Sequence, residues 1–213
     1  VCSGTLIGCR TFLVAAHCVC PPEVDNAADC RAAELNDPAA LRVFLPNAGI
    51  FAIESIAINP EYVFAVRGDV AVLRLPLVSG VAPSALNQTQ RPLEGTLVDV
   101  VGYGSSATAS FFASDYGVKR TGRLRSGACA DDVFAGAHVC WEYDGSSAST
   151  CVGDSGGPVF ADLGDGPVIV GIISGSSSDT CSPPDQVFAT DVYVSRTWII
   201  EQLNADPPSG CGD

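Results

Sequence analysis

The chain has 213 residues, 24 of them Asp or Glu and 11 Lys or Arg, so its net charge at neutral pH is −13. That balance excludes a nucleic-acid partner, because phosphate binding needs a basic stripe. No apolar run is long enough to span a bilayer, so no membrane partner is expected, while 47% hydrophobic residues supply ample material for a core.

Short β-branched runs separated by turn residues predict strands at 5–7, 11–15, 41–45, 51–58, 70–75, 96–102, 159–160, 168–174 and 186–190. Such spacing predicts an all-β barrel or sandwich. The stretch 20–36 is acidic and alanine-rich and reads as an exposed excursion. Residues 82–93 read as the crossing between two barrels, and 105–114 as a surface loop after the turn Gly102-Tyr103-Gly104. A helix is predicted over 193–204, where Trp198, Ile199 and Leu203 share one apolar face, and Asp206-Pro207-Pro208-Ser209-Gly210 ends it. Ten cysteines with no CxxC pair argue against zinc and for disulfides, hence for an oxidising, secretory compartment. No leader is visible, so a secreted form has had it removed or omitted. Asn87-Gln88-Thr89 is a glycosylation sequon that matters only in a eukaryotic secretory pathway.

Three motifs carry chemistry. Cys151-Val152-Gly153-Asp154-Ser155-Gly156-Gly157-Pro158 presents a serine between glycines, as a strained turn does for a nucleophilic hydroxyl. Upstream stand Leu13-Val14-Ala15-Ala16-His17-Cys18 and Gly68-Asp69-Val70-Ala71-Val72-Leu73-Arg74-Leu75. A serine hydroxyl is a poor nucleophile at neutral pH; it needs a base, and the base needs a third group to fix its tautomer. Each residue alone also has a bland reading: a buried structural histidine, a turn aspartate, a Gly-Ser loop. Their coincidence in the order His…Asp…Ser makes the bland readings jointly improbable. The second histidine, His138, has no motif around it and reads as incidental.

On these motifs the chain resembles the trypsin/chymotrypsin family of serine proteases from Val1 to about Leu203. The resemblance implies two six-stranded antiparallel β-barrels with a C-terminal α-helix, the barrels at 1–85 and 94–192 and the helix at 193–204, with the site in the cleft between them. It implies His17 as general base, Asp69 as its orienter and Ser155 as nucleophile, with the Gly153 and Ser155 amides as oxyanion hole. Ser174 matches the family serine that supports the aspartate and binds substrate backbone. It implies the disulfides Cys2–Cys18, Cys129–Cys140 and Cys151–Cys181. Cys9, Cys20, Cys30 and Cys211 remain, and three pairings are open; Cys20–Cys30 with Cys9–Cys211 is favoured.

In the family the residue six before the nucleophile sits at the pocket base; here it is Ser149, which cannot pair with a basic side chain. Thr150, Val152, Ser174, Gly175 and Ser176 are the expected walls. Gly175 replaces the usual tryptophan. Val187, Gln186 or Asp185 completes the lining, in a register ambiguous by one residue. Val187 would make the pocket shallow and apolar, Gln186 polar, and Asp185 suited to basic residues. The order of preference is small or medium neutral first, basic second. The implied protein is a secreted, monomeric endopeptidase made as a zymogen, acting on proteins or peptides, bound by protein protease inhibitors, and needing no metal or cofactor. The family's zymogens are activated when a new N-terminus pairs with the aspartate before the nucleophile, here Asp154. The chain lacks that segment, and its omission is the expectation. From other classes come a proteolytically silent binding module on the same fold and an esterase on small substrates.

Overall fold

The computed structural model describes residues 1–32, 38–106, 115–130, 132–178 and 180–205. Its first half comprises β1 (Thr5–Leu6), β2 (Thr11–Val14), the short helix α1 (Ala27–Ala32), β3 (Arg42–Leu45), β4 (Gly49–Ala52), β5 (Ser55–Ile58) and β6 (Ala71–Arg74). Four of these strands pair in the order β1-β2-β6-β5, and β3 and β4 form a separate antiparallel pair. The second half comprises β7 (Leu97–Gly102), β8 (Arg120–Arg125), α2 (Asp132–Ala137), β9 (His138–Tyr143), β10 (Pro158–Asp162), β11 (Pro167–Ser176), β12 (Asp185–Asp191) and the closing helix α3 (Val192–Asn204). Its strands make one curled six-stranded sheet in the order β8-β7-β10-β11-β12-β9. The all-β expectation with a terminal helix holds.

Several differences from the sequence expectations have local causes. The expected strand 51–58 is two strands: β4 turns back on β3, while β5 pairs with β6. The break falls at the exposed Glu54, and Gly49, at φ +115°, begins β4 in a conformation side-chain-bearing residues avoid. The expected loop 20–36 contains α1, whose start is capped by Asn26: its Oδ1 accepts from the N–H groups of Ala28 at 3.1 Å and Asp29 at 3.0 Å. The Cys20–Cys30 disulfide clips that helix back onto the chain. β8 carries no strand signal of its own, because RTGRLR offers one apolar residue to the core, Leu124. Its ladder with β7 supplies the order that its side chains do not.

Three apolar clusters form the core. One lies inside the first half around Phe12, Leu45, Ile58 and Leu73. A second lies under the six-stranded sheet around Val98, Trp141, Val159 and Val187. The third joins the halves: Leu13 and Val72 pack with Ile169, Ile172 and, from α3, Val192 and Ile199. Within the expected crossing, Leu86 pairs with Ile169 in parallel. Apolar burial at this seam brings β2 and β6 against β11; the histidine and aspartate motifs stand at the ends of β2 and β6, and the serine motif leads into β10, which pairs with β11.

α3 is anchored at its start by Asp191, which is fully buried. One carboxylate oxygen accepts from the Tyr193 N–H at 2.9 Å and the other from Arg91 Nε at 2.6 Å. Arg91 also donates to the carbonyls of Ala135 and His138. Asp191→Ala removes the cap and leaves Arg91 without its counter-charge. The expected loss is about 3 kcal/mol of unfolding free energy, read from the midpoint of urea denaturation at constant slope.

Candidate active site

His17 sits in a one-turn 3-10 helix, Ala16–Cys18, just after β2, and Asp69 lies just before β6. Neighbouring strands therefore deliver them side by side. The Asp69 side chain is fully buried. Its Oδ1 accepts from the His17 backbone N–H at 2.9 Å, and its Oδ2 lies 2.7 Å from His17 Nδ1. Ser174 Oγ donates to the same Oδ2 at 2.5 Å from the other half of the molecule. A buried ionised carboxylate is tolerable only when hydrogen-bonded, and here three donors converge on it. Facing that acceptor, Nδ1 carries the proton, which leaves Nε2 of a neutral ring as the basic nitrogen. Gly68, at φ +63°, makes the turn into Asp69; a Cβ there would come within 3.0 Å of the Glu61 carbonyl.

Ser155 is linked to this pair through Cys18. Cys18 Sγ is 3.8 Å from His17 Nε2 and 3.7 Å from the Ser155 carbonyl oxygen. The Cys2–Cys18 disulfide places that sulfur. The turn carrying Ser155 is held from both sides: the Ser155 carbonyl accepts from the Ser3 N–H at 2.8 Å, and the Gly156 N–H donates to the Ile173 carbonyl at 2.7 Å. A Cβ at Gly156 would meet the Ser3 carbonyl oxygen at 2.4 Å, so this packing requires glycine. Gly153 is buried at φ +94°. The N–H groups of Gly153 and Ser155 have no acceptor among the described residues.

Asp154, next to Ser155, is held by backbone donors. Its Oδ1 accepts from the Gly104 N–H at 2.8 Å and its Oδ2 from the Cys151 N–H at 2.9 Å. Burial pushes its carboxyl above the ordinary aspartate range, while those two N–H groups and the charge of Arg120 pull the other way. It borders a cavity of about 300 Å³ that is also lined by Arg120, Tyr143, Ser149, Thr150 and Cys181.

The expected pocket residues are distributed as follows. Ser149 Oγ is buried without a partner among the described residues; Thr150 is 8% exposed and Val152 46%. On β11, Ser174 is buried on Asp69, and Ser176 Oγ donates to the Ser178 carbonyl at 2.7 Å. β12 pairs with β11 so that Ser176 is opposite Val187 and Gly175 opposite Phe188. A Cβ at Gly175 would meet the Phe188 ring at 2.9 Å, so that ring fills the space a larger residue would need. Val187 is buried beside Trp141. Gln186 turns outward, its Oε1 accepting from the Ala130 N–H at 2.7 Å, and Asp185 accepts from Ser177 Oγ at 2.9 Å. The bridges Cys129–Cys140 and Cys151–Cys181 are formed, while Cys211, the partner favoured for Cys9, lies outside the described residues.

Two neighbours of the site escape the sequence motifs. Phe64 sets its ring against His17, with centroids 5.2 Å apart at 70°. Ser3, 4% exposed, holds the turn that carries Ser155: besides its N–H on Ser155, its Oγ donates to the Gly153 carbonyl at 2.8 Å and accepts from the Tyr103 N–H at 2.9 Å. No local pattern marks either, because both act on residues distant in the chain.

Residues 1–199 match the family model described as Trypsin. The chain is 34% identical over 145 residues to Trypsin iota of Drosophila melanogaster, covering 64% of this chain and 55% of that protein. It is 31% identical over 179 residues to Venom serine protease Bi-VSP of Bombus ignitus, covering 75% and 47% respectively. Brachyurin of Leptuca pugilator is 27% identical over 218 residues, covering 97% and 89%. The chain thus spans about half the length of the first two.

Ser3→Ala leaves the Tyr103 N–H and Gly153 carbonyl buried without their partner. The expected cost is about 2 kcal/mol, read as a lower urea midpoint at unchanged slope.

Proposed function

Because this chain belongs to the trypsin family, we propose that it is a secreted serine endopeptidase working through an acyl-enzyme, with His17, Asp69 and Ser155 as its catalytic residues. The observation that carries this reading is the buried Asp69 carboxylate, which lies 2.7 Å from Nδ1 of His17, with Cys18 Sγ standing between Nε2 at 3.8 Å and the Ser155 carbonyl oxygen at 3.7 Å. His17 Nε2 takes the Ser155 Oγ proton as Oγ bonds to the scissile carbonyl carbon. The negative charge that develops on the carbonyl oxygen is met by the N–H groups of Gly153 and Ser155, each donor supporting about 3 kcal/mol of barrier lowering. Collapse breaks the C–N bond, and His17 passes its proton to the leaving amine. Water then attacks the ester along the same route and frees Ser155.

A neutral pocket base at Ser149, with Val187 across from Ser176, supports cleavage after small or medium neutral side chains. Apolar pockets discriminate by only about 1–3 kcal/mol per methylene, so the selectivity is modest. Proteins or peptides are the substrates, and protein inhibitors that mimic them are the other partners. The disulfides support an extracellular site of action.

The test is intact-mass labelling with an organophosphonyl fluoride, comparing the native protein with Ser155→Ala. One adduct, mapped to Ser155 and absent from the variant, is expected, with kcat on peptide substrates falling about 10⁶-fold in the variant. No adduct on folded protein, or turnover retained in the variant, overturns the reading.

A further inference from the structure

The turn that carries Gly153 and Ser155 rests on a second loop, and one side chain clamps that loop. The 104–105 backbone runs beside 152–154: the Gly104 N–H donates to Asp154 Oδ1 at 2.8 Å and the Ser105 N–H to the Val152 carbonyl at 3.0 Å. Gly153 lies directly on this support. A Cβ there would come 2.9 Å from Gly104 Cα and 3.0 Å from the Tyr116 ring. Residues 104 and 116 are thus the floor under the Gly153 amide.

Arg120, at the start of β8, ties both parts of that floor together. Its Nη1 donates to the Gly104 carbonyl at 2.8 Å and the Asp115 carbonyl at 3.1 Å, and its Nη2 to the Asp115 carboxylate at 3.2 Å. Gly104 therefore receives Arg120 on its carbonyl and gives its N–H to Asp154, so one residue, through its two flanking peptide groups, links guanidinium to carboxylate. A planar guanidinium can serve several acceptors on two backbone segments at once; an ammonium cannot keep that fork.

We propose that Arg120 is a positioning residue for the oxyanion turn, holding the Gly104 and Tyr116 floor on which Gly153 rests. It touches neither substrate nor nucleophile and acts through Gly104 and Asp154. The inference rests on the serine-protease reading of the site. The titratable groups lining the cavity at Asp154 are Arg120 and Tyr143, with Asp115 on the far side of the guanidinium.

The pH dependence has a definite sign. Burial raises the Asp154 carboxyl and the Arg120 charge opposes that rise. Without the charge the carboxyl takes up its proton at a higher pH, so a pH falling through that point neutralises Asp154 sooner. The acid limb of Ser155 reactivity accordingly moves upward.

The experiment compares native protein, Arg120→Gln and Arg120→Lys by the rate of Ser155 phosphonylation and by kcat and KM across pH. In Arg120→Gln, phosphonylation and kcat are expected to fall about 10- to 100-fold with KM nearly unchanged, because oxyanion contacts strengthen only in the transition state. The acid limb shifts upward. Arg120→Lys restores the limb, since it keeps the charge, but only part of the rate, since it loses the fork. Folded Arg120→Gln with native kcat and limb overturns the proposal, as does a loss confined to KM. If Arg120→Gln does not fold, Arg120→Lys decides: a native limb with reduced kcat supports the proposal, and native kcat overturns it. Failure of the native Ser155 to label overturns the underlying reading, and the proposal with it.

Discussion

The buried carboxylate of Asp69 is the constraint around which the rest of the site is arranged. An unpaired ionised carboxylate in the interior would cost several kcal/mol, and a fold retains one only where donors surround it. Here they come from different parts of the chain: the backbone and ring of His17 from the end of β2, and Ser174 from β11 in the other half. Satisfying the charge therefore fixes the imidazole tautomer and fastens the two halves at the place where the chemistry is read. Thr190 adds to this by donating to the Asp69 carbonyl at 3.2 Å, so backbone and side chain of one residue are both anchored.

The turn that carries Ser155 is held by a different principle. It carries no large side chain into the core, and glycine at 153, 156 and 157 lets other backbone approach more closely than any Cβ would allow. Its order comes from hydrogen bonds to segments that are themselves well placed: Ser3 behind it, Ile173 on β11 beneath it, and Gly104 beside it. Such a turn has few conformations of its own. Its geometry depends on neighbours, and groups remote from the reacting atoms, Ser3 and Arg120 among them, acquire leverage over it.

The pocket side follows from strand register. The β11–β12 ladder shifts between Ile173 and Gly175, and beyond that irregularity Ser176 faces Val187. A one-residue slip would exchange Val187 for its neighbours, because alternate side chains in a strand face opposite ways. Gln186 is tied to the Ala128–Ala130 backbone and the buried Asp185 to Ser177, so polar contacts at the two residues before Val187 hold that register.

Much of this architecture is legible in the amino-acid sequence. The all-β class, most strands and the terminal helix follow from apolar patterning. The residues gathered at Asp69 and Ser155 stand in contexts that local rules single out: a serine among glycines, a histidine and an aspartate bordering apolar runs. Such signals are local, and backbone conformation and side-chain chemistry suffice to read them. β8 is not legible, because one buried leucine carries too little pattern. Neither are α1, a six-residue helix with a capping asparagine, nor the division of 51–58 into two strands. Ser3, Phe64 and Arg120 are hidden for another reason: their partners lie 150, 47 and 16 residues away, respectively. The sequence by itself determined which chemistry the chain can carry. Only the tertiary structure decided which groups hold it in place, because long-range hydrogen bonds and register depend on how strands pair in space.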